Sequence, residues 1–422
     1  MKVKNYYPRI IDDELDLHLE AMGAVFIRGP KWCGKTTTAF NHAKSYINFQ
    51  DTAKGDSYIS LAQTDPSVLL EGKTPKLIDE WQIVPKIWNA IRTTIDNRGL
   101  RGQFIITGST LIKNTEGLHP GTGRISKLDM RTMSLFESNE STGEISLNDL
   151  MNDIWKDGLY ESDLSLKQLA FSLCRGGWPS ALNISEKAAL MVSKQYLKAT
   201  IENDISELGE TKNPLLARHI MQSYSRLISS SGSNSALYAD VQSNFGSVTD
   251  KTINNYLSLL ERLFIIDEIP AWNLNFRSAT AIRSSKKKSF IDPSLATAAL
   301  DLSPEQLLYD FETFGLLFEN LVTRDLLVYT QSKGGHVKYY RDRYGLECDC
   351  VIHLDNGNYG LFEVKLGENK IEEAAKNLIK LEGLIKDNNM RKPTCKVIIT
   401  GGKAAYKRVD GIYVIPIGCL KD

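Results

Sequence analysis

The chain has 422 residues, of which 42% are apolar and 24% are charged, so it is long enough for about two to four domains with buried cores. Its 51 lysines and arginines balance 51 aspartates and glutamates, which excludes a global basic field as the reason for a nucleic-acid partner. The first residues lack the apolar core of a signal peptide, no apolar run approaches the length of a membrane span, and the six cysteines form no Cys-x-x-Cys pair. We therefore expect a cytoplasmic protein with reduced thiols and no membrane partner.

The first motif is a glycine loop between a predicted strand and a predicted helix. A β-prone run ends at Arg28, and the residues from Gly29 to Thr36 fit the pattern G-x-x-x-x-G-K-[ST]. Such a loop turns its backbone N–H groups around phosphate oxygens, because glycine allows the required φ values and the helix start adds positive potential. We expect Lys35 to reach the β- and γ-phosphates of ATP and Thr36 to hold Mg²⁺; the alternative is an ordinary loop. The residues expected to contact the nucleotide are Gly29, Pro30, Lys31, Trp32, Cys33, Gly34, Lys35, Thr36 and Thr37.

A second predicted strand ends in two acidic residues. Leu77 and Ile78 close the apolar run, and Asp79 and Glu80 follow at its carboxyl end. Ligands bind at this end of the strands in open α/β sheets. We therefore expect Asp79 to contact Mg²⁺ through water and Glu80 to polarise the attacking water. The alternative is an acidic pair in a solvated loop.

Further polar residues are candidates for sensing the γ-phosphate. The strand in GQFIITGST, at 102–110, ends in Thr107, Gly108 and Ser109, and we take Ser109 as the candidate; a helix-capping serine is the alternative. Arg124 and Arg131 follow, and an arginine supplied in cis or by a neighbouring subunit stabilises developing phosphoryl charge. Either arginine is also compatible with an ordinary surface position.

Together these motifs resemble a prokaryotic family of AAA-type ATPases that is similar to the archaeal ATPases. The segments that carry the resemblance stand in the same order, namely YYPRIIDDEL, GAVFIRGPKWCGKTTTA, LIDEWQ, FIITGS, GRISKLDMRTMSLFE and RGGWPSAL. The resemblance covers nearly the whole chain. It implies an ATPase domain that uses ATP and Mg²⁺, followed by a C-terminal domain of unknown function with a restriction-endonuclease-like fold. Trp32 and Cys33 depart from the family, which has smaller residues at these permissive loop positions.

Helical patterns dominate the middle of the chain. The interruption CRGGWPS at 174–180 predicts either a turn or a lid from which Arg175 approaches phosphate. Residues 213–295 predict a winged-helix pattern in which Thr249 or Asp250 caps the second helix, followed by a strand over FIIDEIPAW. The segment RSSKKKS at 283–289 is either a basic wing over phosphates or a solvated loop. Such modules bind DNA or another protein, so both partners stay open. The expected exposed residues of the second helix are Lys251, Asn254, Asn255 and Ser258.

The C-terminal part predicts an amphipathic helix at 314–329, and then a strand, a turn and two strands around DNGN. The turn decides whether acids on the last two strands meet. A two-residue turn at Asn356-Gly357 sends Asp349 to the wrong face, whereas a three-residue loop pairs residue 349 with residue 363. A left-handed glycine at 357 favours the three-residue loop, which puts Asp349 beside Glu363.

This arrangement resembles the PD-(D/E)xK nuclease pattern. The resemblance implies that Asp349 and Glu363 hold a possible second divalent cation for metal-assisted phosphodiester hydrolysis. Lys365 would orient a nucleophilic water, and Glu319 on the preceding helix would be an auxiliary acid. The alternatives are a lapsed nuclease fold that only binds nucleic acid or is inert, and acids that are offset by Lys365 and Arg341.

We therefore expect an α/β protein whose function is Mg²⁺-dependent ATP hydrolysis coupled to acting on or docking to DNA. The alternative is a nucleotide-dependent switch or protein-docking module with an inactive nuclease-like domain. Oligomeric state and the source of any arginine finger stay open. The expected parts are a P-loop three-layer α/β/α domain at 1–145, a helical lid at 146–212, a winged-helix-like module at 213–295 and a PD-(D/E)xK nuclease-like, restriction-endonuclease-like α/β domain at 296–422.

Overall fold

The computed structural model describes residues 6–108, 121–156, 158–205, 213–274 and 285–422. The chain divides into two compact units, Met1–Thr132 and Met133–Asp422. All six cysteines lie among the described residues, and all are buried free thiols. Within these ranges, no helix combines the length and the apolar character needed to cross a bilayer.

The N-terminal unit alternates helices and strands. The strands form a parallel sheet in which the fourth strand in sequence separates the first from the third, because Ala24 and Lys76 are both in register with Phe104. Its elements are α1 Ile11–Ala21, β1 Ala24–Arg28, α2 Lys35–His42, β2 Ser45–Asn48, α3 Gly55–Thr64, α4 Pro66–Leu69, β3 Lys76–Asp79, α5 Lys86–Arg98, β4 Phe104–Ile106 and β5 Ile125–Asp129. The strand order is β2-β3-β4-β1-β5.

Helices cover both faces of this sheet because neighbouring residues of each strand point to opposite sides. Phe26 of β1 lies in one apolar core with Trp88 of α5. Ile27, the next residue, lies in a second core with Leu15 of α1 and Ala39 of α2. Strands that are apolar on both faces are typical of a parallel sheet between two helical layers. The unit is the three-layer α/β/α domain that the sequence predicts.

The C-terminal unit begins with helices and ends in a mixed sheet. Its helices are α6 Leu147–Met151, α7 Leu166–Arg175, α8 Glu186–Ala199, α9 Pro214–Arg226, α10 Ser235–Phe245, α11 Asp250–Arg262, α12 Pro293–Ala299, α13 Pro304–Leu307, α14 Phe311–Gln331 and α15 Ile371–Asp387. Its strands are β6 Ile145–Ser146, β7 Tyr160–Glu161, β8 His336–Arg341, β9 Glu347–His353, β10 Tyr359–Lys365, β11 Cys395–Thr400, β12 Ala404–Lys407, β13 Tyr413–Pro416 and β14 Leu420–Lys421.

The main sheet of this unit has the order β7-β12-β13-β11-β10-β9-β8, and β14 pairs separately with β6. Strands β8, β9 and β10 are antiparallel neighbours, whereas β10, β11 and β13 run parallel. Leu378 and Leu381 of α15 share an apolar core with Leu361 of β10 and Ile398 of β11. Helix α14 contacts β8, β9 and β10. The two helices therefore hold the three antiparallel strands in place.

Helix α14 is not the amphipathic helix that the sequence predicts at 314–329. Every residue from Asn320 to Leu326 is buried, so the middle of the helix is enclosed on all sides. Arg324 and Asp325 lie in this stretch and pair with each other at 2.7 Å. The periodicity was misleading because charged residues in a sequence look the same whether they face water or form a buried ion pair.

Helix α11 matches the predicted second helix of the winged-helix pattern. The Thr249 hydroxyl accepts a hydrogen bond from the Thr252 N–H at 3.2 Å and caps the helix. The expected polar positions are exposed, namely Lys251, Asn254, Asn255 and Ser258. The predicted strand over FIIDEIPAW is wrong, however, because this segment makes isolated bridges only, such as Ile266 with Phe290.

The lysines at 286–288 form neither the predicted basic wing nor a solvated loop. Lys286 is exposed and pairs with Glu261 at 3.3 Å. Lys287 and Lys288 are buried, and the Lys288 ammonium donates to the Gly232 carbonyl at 2.8 Å. The backbone of this segment is bridged to Ile269, which fixes these side chains toward the interior of the unit. Two of the three positive charges are therefore withdrawn from the surface.

Candidate functional site

The glycine loop, residues 29–36, joins the end of β1 to the start of α2. Gly29 and Gly34 have φ angles of 144° and 105°, which side-chain-bearing residues rarely adopt. A Cβ atom on Gly29 would lie 2.1 Å from the carbonyl oxygen of Met130, so the neighbouring backbone leaves no room for one. Gly34 is the N-cap of α2. The loop thus ends where the unpaired N–H groups of a helix start are available to an anion.

Lys35 and Thr36 both begin helix α2. The Lys35 ammonium donates to the carbonyls of Gly29 at 2.9 Å and Pro30 at 2.6 Å, so its side chain reaches back over the loop. The Thr36 hydroxyl donates to Asp79 Oδ1 at 3.0 Å. A cation is therefore held over the loop, and a hydroxyl is held against an acid.

Asp79 ends β3 and is almost completely buried. Its Oδ1 also accepts a hydrogen bond from the Thr107 hydroxyl at 2.6 Å, and Thr107 follows the adjacent strand β4. Oxygen ligands of this kind suit Mg²⁺, so the residues present fit a magnesium ion beside the glycine loop. Ser109, the predicted sensor, lies outside the described residues, and Thr107 is the polar side chain of this strand end that touches the acid.

Glu80 follows Asp79 in a left-handed conformation, with φ of 57°. Its Oε2 accepts a hydrogen bond from Gln82 Nε2 at 2.5 Å, which holds the half-buried carboxylate near the carboxyl ends of the strands. Gly108 makes room for this amide, since a Cβ there would lie 2.1 Å from Gln82 Oε1. Sequence reasoning missed Gln82, although it is part of the segment LIDEWQ that carries the family resemblance.

The two candidate arginines lie at opposite ends of β5. Arg124 precedes the strand, donates to Asp96 at 2.8 Å, and is level with Ala24 at the start of β1. The glycine loop follows the other end of β1, about 13 Å away at about 3.3 Å per residue. Arg124 therefore does not reach the glycine loop of its own chain, and a catalytic role for it requires a neighbouring subunit. Arg131 follows β5 at the same edge as the loop.

Arg9 is a second residue that the sequence analysis did not single out. Its buried guanidinium donates to the carbonyls of Cys33 at 2.9 Å and Arg131 at 3.0 Å. The C=O and the N–H of one trans peptide point in opposite directions. Holding the Cys33 carbonyl on the Arg9 side therefore turns the Gly34 N–H away from Arg9. The motif YYPRIIDDEL contains Arg9, but its contact with the loop depends on folding.

Arg175 does not have the predicted phosphate-directed role within its unit. It ends α7, where Gly176 with φ of 77° stops the helix, and its guanidinium pairs with Glu140 at 2.5 Å. The next residue, Gly177, donates its N–H to Asp292 at 2.9 Å. The predicted alternative, a turn, describes this segment.

The hairpin of β9 and β10 has the register predicted for a three-residue loop. Phe362 pairs with Cys350, and the same register places Glu363 opposite Asp349. Gly357 closes the loop with φ of 81°. The Lys365 ammonium contacts Glu363 at 2.7 Å and Asp349 at 3.3 Å, so the three side chains do meet.

Lys287 is a further member of this cluster that the sequence analysis did not place there. Its ammonium contacts Glu319 of α14 at 2.5 Å and Asp349 Oδ1 at 3.6 Å. Arg341, which was considered as a counterion, pairs instead with Glu347 at 2.8 Å. We call the five residues Lys287, Glu319, Asp349, Glu363 and Lys365 the C-terminal charge cluster.

Burial and pairing act against each other on the acids of the cluster. Burial favours the neutral form of Asp349, but the ammonium groups of Lys287 and Lys365 outweigh it and hold the pKa of Asp349 below its usual value. Burial and the neighbouring Asp349 carboxylate raise the pKa of Glu363 well above its usual value. Burial also raises the pKa of Glu319, to about 7.

A second divalent cation does not fit these residues. Two ammonium groups already contact the carboxylates that the nuclease pattern assigns to a metal. Across the part of the chain that the structure describes, no group of three or more His, Cys, Asp or Glu side chains is arranged to hold a metal ion. No reaction step is derived through a metal at this cluster.

Two parallel strand ends, a glycine loop, a helix start and the pair of Lys35 and Asp79 define a P-loop ATPase domain. Residues 22–139 match the family described as "AAA domain". The N-terminal domain is therefore an ATPase domain of the AAA type. Residues 166–306 match a "domain of unknown function (DUF8612)", and residues 314–420 match a "domain of unknown function (DUF4143)".

No curated protein matches the chain significantly. Solved structures that resemble it include the Walker-type ATPase PABY2304 of Pyrococcus abyssi, at 14% identity and a TM-score of 0.42 over 71% of this chain and 97% of that chain. The ORC2 protein of Aeropyrum pernix gives 14% identity and a TM-score of 0.24 over 76% and 97%. RuvB of Thermotoga maritima gives 17% identity and a TM-score of 0.24 over 62% and 89%. TM-scores this low carry no argument about the present chain.

Proposed function

We propose that the glycine loop binds and hydrolyses ATP with Mg²⁺, and that the bound nucleotide controls how the C-terminal unit docks to a partner. The observation that carries the first part is the contact of the Thr36 and Thr107 hydroxyls with one oxygen of Asp79 beside the loop. These contacts bring a predicted metal-binding hydroxyl, a predicted metal-binding acid and a third strand end together.

Each residue has a separate task in this proposal. Backbone N–H groups of the loop, from Gly29 to Thr37, hold the phosphates, and the Lys35 ammonium neutralises the β- and γ-phosphates. Thr36 and Asp79 hold Mg²⁺, which supplies charge neutralisation at the γ-phosphate when bound. Glu80 accepts a proton from the attacking water.

The γ-phosphate is expected to act on groups beyond those that hold it. Ser109 senses it, and the arginine that stabilises the transferred phosphoryl group is Arg131 in cis or Arg124 of a neighbouring subunit.

Lys35→Ala is expected to weaken ATP binding by about 100-fold, because charge-assisted hydrogen bonds contribute about 1.5–3 kcal/mol each. The measurement is titration of a fluorescent ATP analogue in the presence of Mg²⁺. Lys44→Ala is the control, since Lys44 is an exposed lysine just after α2. Unchanged affinity in Lys35→Ala would mean that nucleotide binds elsewhere.

For the C-terminal unit, two functions were open, namely acting on or docking to DNA, and a protein-docking switch with an inactive nuclease-like domain. The charge distribution favours the switch. The exposed face of α11 offers Lys251 as its cation, and two of the three lysines at 286–288 are buried, so this described surface has few charges for DNA phosphates. The division into modules at 1–145, 146–212, 213–295 and 296–422, including the winged-helix and nuclease-like identities, stays part of the proposal.

A cleavage assay separates the two functions. The wild-type protein is expected to leave single-stranded and double-stranded DNA intact with Mg²⁺ or Mn²⁺, with or without ATP, because the acids of the C-terminal charge cluster are paired with lysines. Glu363→Ala is the matched variant. Cleavage by the wild-type protein that Glu363→Ala abolishes would replace the switch with a nuclease.

A further inference from the structure

The C-terminal charge cluster is a chain of alternating charge. Lys287 contacts Glu319 and Asp349, and Lys365 contacts Asp349 and Glu363. Each lysine therefore bridges two carboxylates, and Asp349 is shared by both. The Asp349 carboxylate also accepts the Val364 N–H at 2.8 Å. Asp349 is thus fully committed to partners that come from the protein itself.

Lys287 is held in this position by its backbone and by its surroundings. Its N–H and C=O exchange two hydrogen bonds with Ile269, both of 2.9 Å. Its ammonium lies 5.7 Å from the centre of the Tyr339 ring and donates to the Asp349 carbonyl at 3.2 Å. The side chain is only 8% exposed. A flexible surface lysine has none of these restraints, so Lys287 is a fixed part of the interior.

A divalent ion bound to Glu319 and Asp349 would need oxygen atoms about 2.0–2.6 Å from it. The Lys287 ammonium already lies against oxygens of both residues. A second cation in the same place would meet a positive charge at contact distance in a buried environment, where repulsion is strong. The lysine and the ion therefore exclude each other.

We infer that Lys287 is the built-in cation of the C-terminal charge cluster and takes the place that a divalent ion would have between Glu319 and Asp349. The cluster consequently binds no divalent ion while Lys287 is in place. This inference deepens the docking function proposed above, because a lysine-filled cluster supports binding of a partner without metal-assisted hydrolysis. It differs from a lost acid, since all three carboxylates are present and only the lysine keeps the ion out.

Mn²⁺ binding without nucleotide tests the inference, with free Mn²⁺ measured by electron paramagnetic resonance. Binding is assigned to the cluster only if Asp349→Asn removes it, which separates it from any site near Asp79. The wild-type protein is expected to show no such binding. Lys287→Met is expected to gain one Mn²⁺ site that Asp349→Asn abolishes, and Mn²⁺ is expected to raise the Tm of Lys287→Met but not that of the wild type.

Lys286→Met is the matched control, because Lys286 is the exposed neighbour in the same segment and should behave as the wild type. Two results would overturn the inference: wild-type Mn²⁺ binding that Asp349→Asn removes, or a folded Lys287→Met protein with no gain of Mn²⁺ binding. If Lys287→Met does not fold, the comparison of wild type with Asp349→Asn still decides. Because the readout is Mn²⁺ and not DNA or a partner, the inference and the docking function can fail separately.

Discussion

Glu80→Gln is expected to slow ATP hydrolysis by about 10²- to 10⁴-fold, the usual contribution of a general base, while ATP binding stays close to that of the wild type. Glutamine keeps the size of the side chain and can still pair with Gln82, but it cannot accept a proton from the attacking water. Steady-state phosphate release gives kcat, and titration of the ATP analogue gives the affinity.

The matched control is Glu20→Gln, which removes an exposed carboxylate at the end of α1 and should leave both quantities unchanged. If Glu80→Gln hydrolyses ATP at the wild-type rate, Glu80 is not the base. If it loses ATP binding as well, the loss of activity reports on the shape of the site instead of on proton transfer.

Arg324→Met is expected to lower the free energy of unfolding of the C-terminal unit by about 3–5 kcal/mol, the usual cost of removing one partner from a buried ion pair. Arg324 pairs with Asp292 at 3.1 Å and Asp325 at 2.7 Å, and all three side chains are almost fully buried. Both carboxylates also accept backbone N–H groups, from Gly177 and Leu135 respectively. The substitution leaves two acids in the interior without a counterion.

Hydrogen exchange of α14 in increasing urea measures this effect in the C-terminal unit by itself. Arg226→Met is the control, because Arg226 pairs with Asp240 at a similar distance of 2.8 Å but is 64% exposed. Exposed pairs contribute about 0–1 kcal/mol, so the control should change stability little. Equal effects of the two substitutions would contradict the view that burial makes the Arg324 network important.

The glycine loop and its acid were predictable because their chemistry needs particular residues at short, fixed spacing. Gly29 and Gly34 are specified by backbone geometry, and Lys35 and Thr36 follow directly in the chain. The hairpin around Gly357 was predictable for the same reason, since a left-handed glycine in a short loop sets the register of Asp349 against Glu363.

The predictions about lysines and arginines were less successful. The segment at 286–288 was taken as a wing or a solvated loop, whereas Lys287 and Lys288 are buried. Arg175 was a candidate for phosphate binding and is paired with Glu140. A long cationic side chain can end in water or against a buried acid, and its neighbours in sequence do not distinguish the two.

The amino-acid sequence alone determined the nucleotide loop, the strand that carries Asp79 and Glu80, and the pairing of the last acidic hairpin, because these depend on residues that are close along the chain. Only the tertiary structure decided that Lys287 meets Asp349 across 62 residues, that Arg9 reaches the glycine loop and that Arg124 does not. Contacts of this kind depend on how distant segments pack around a common core, and local sequence patterns carry no record of that packing.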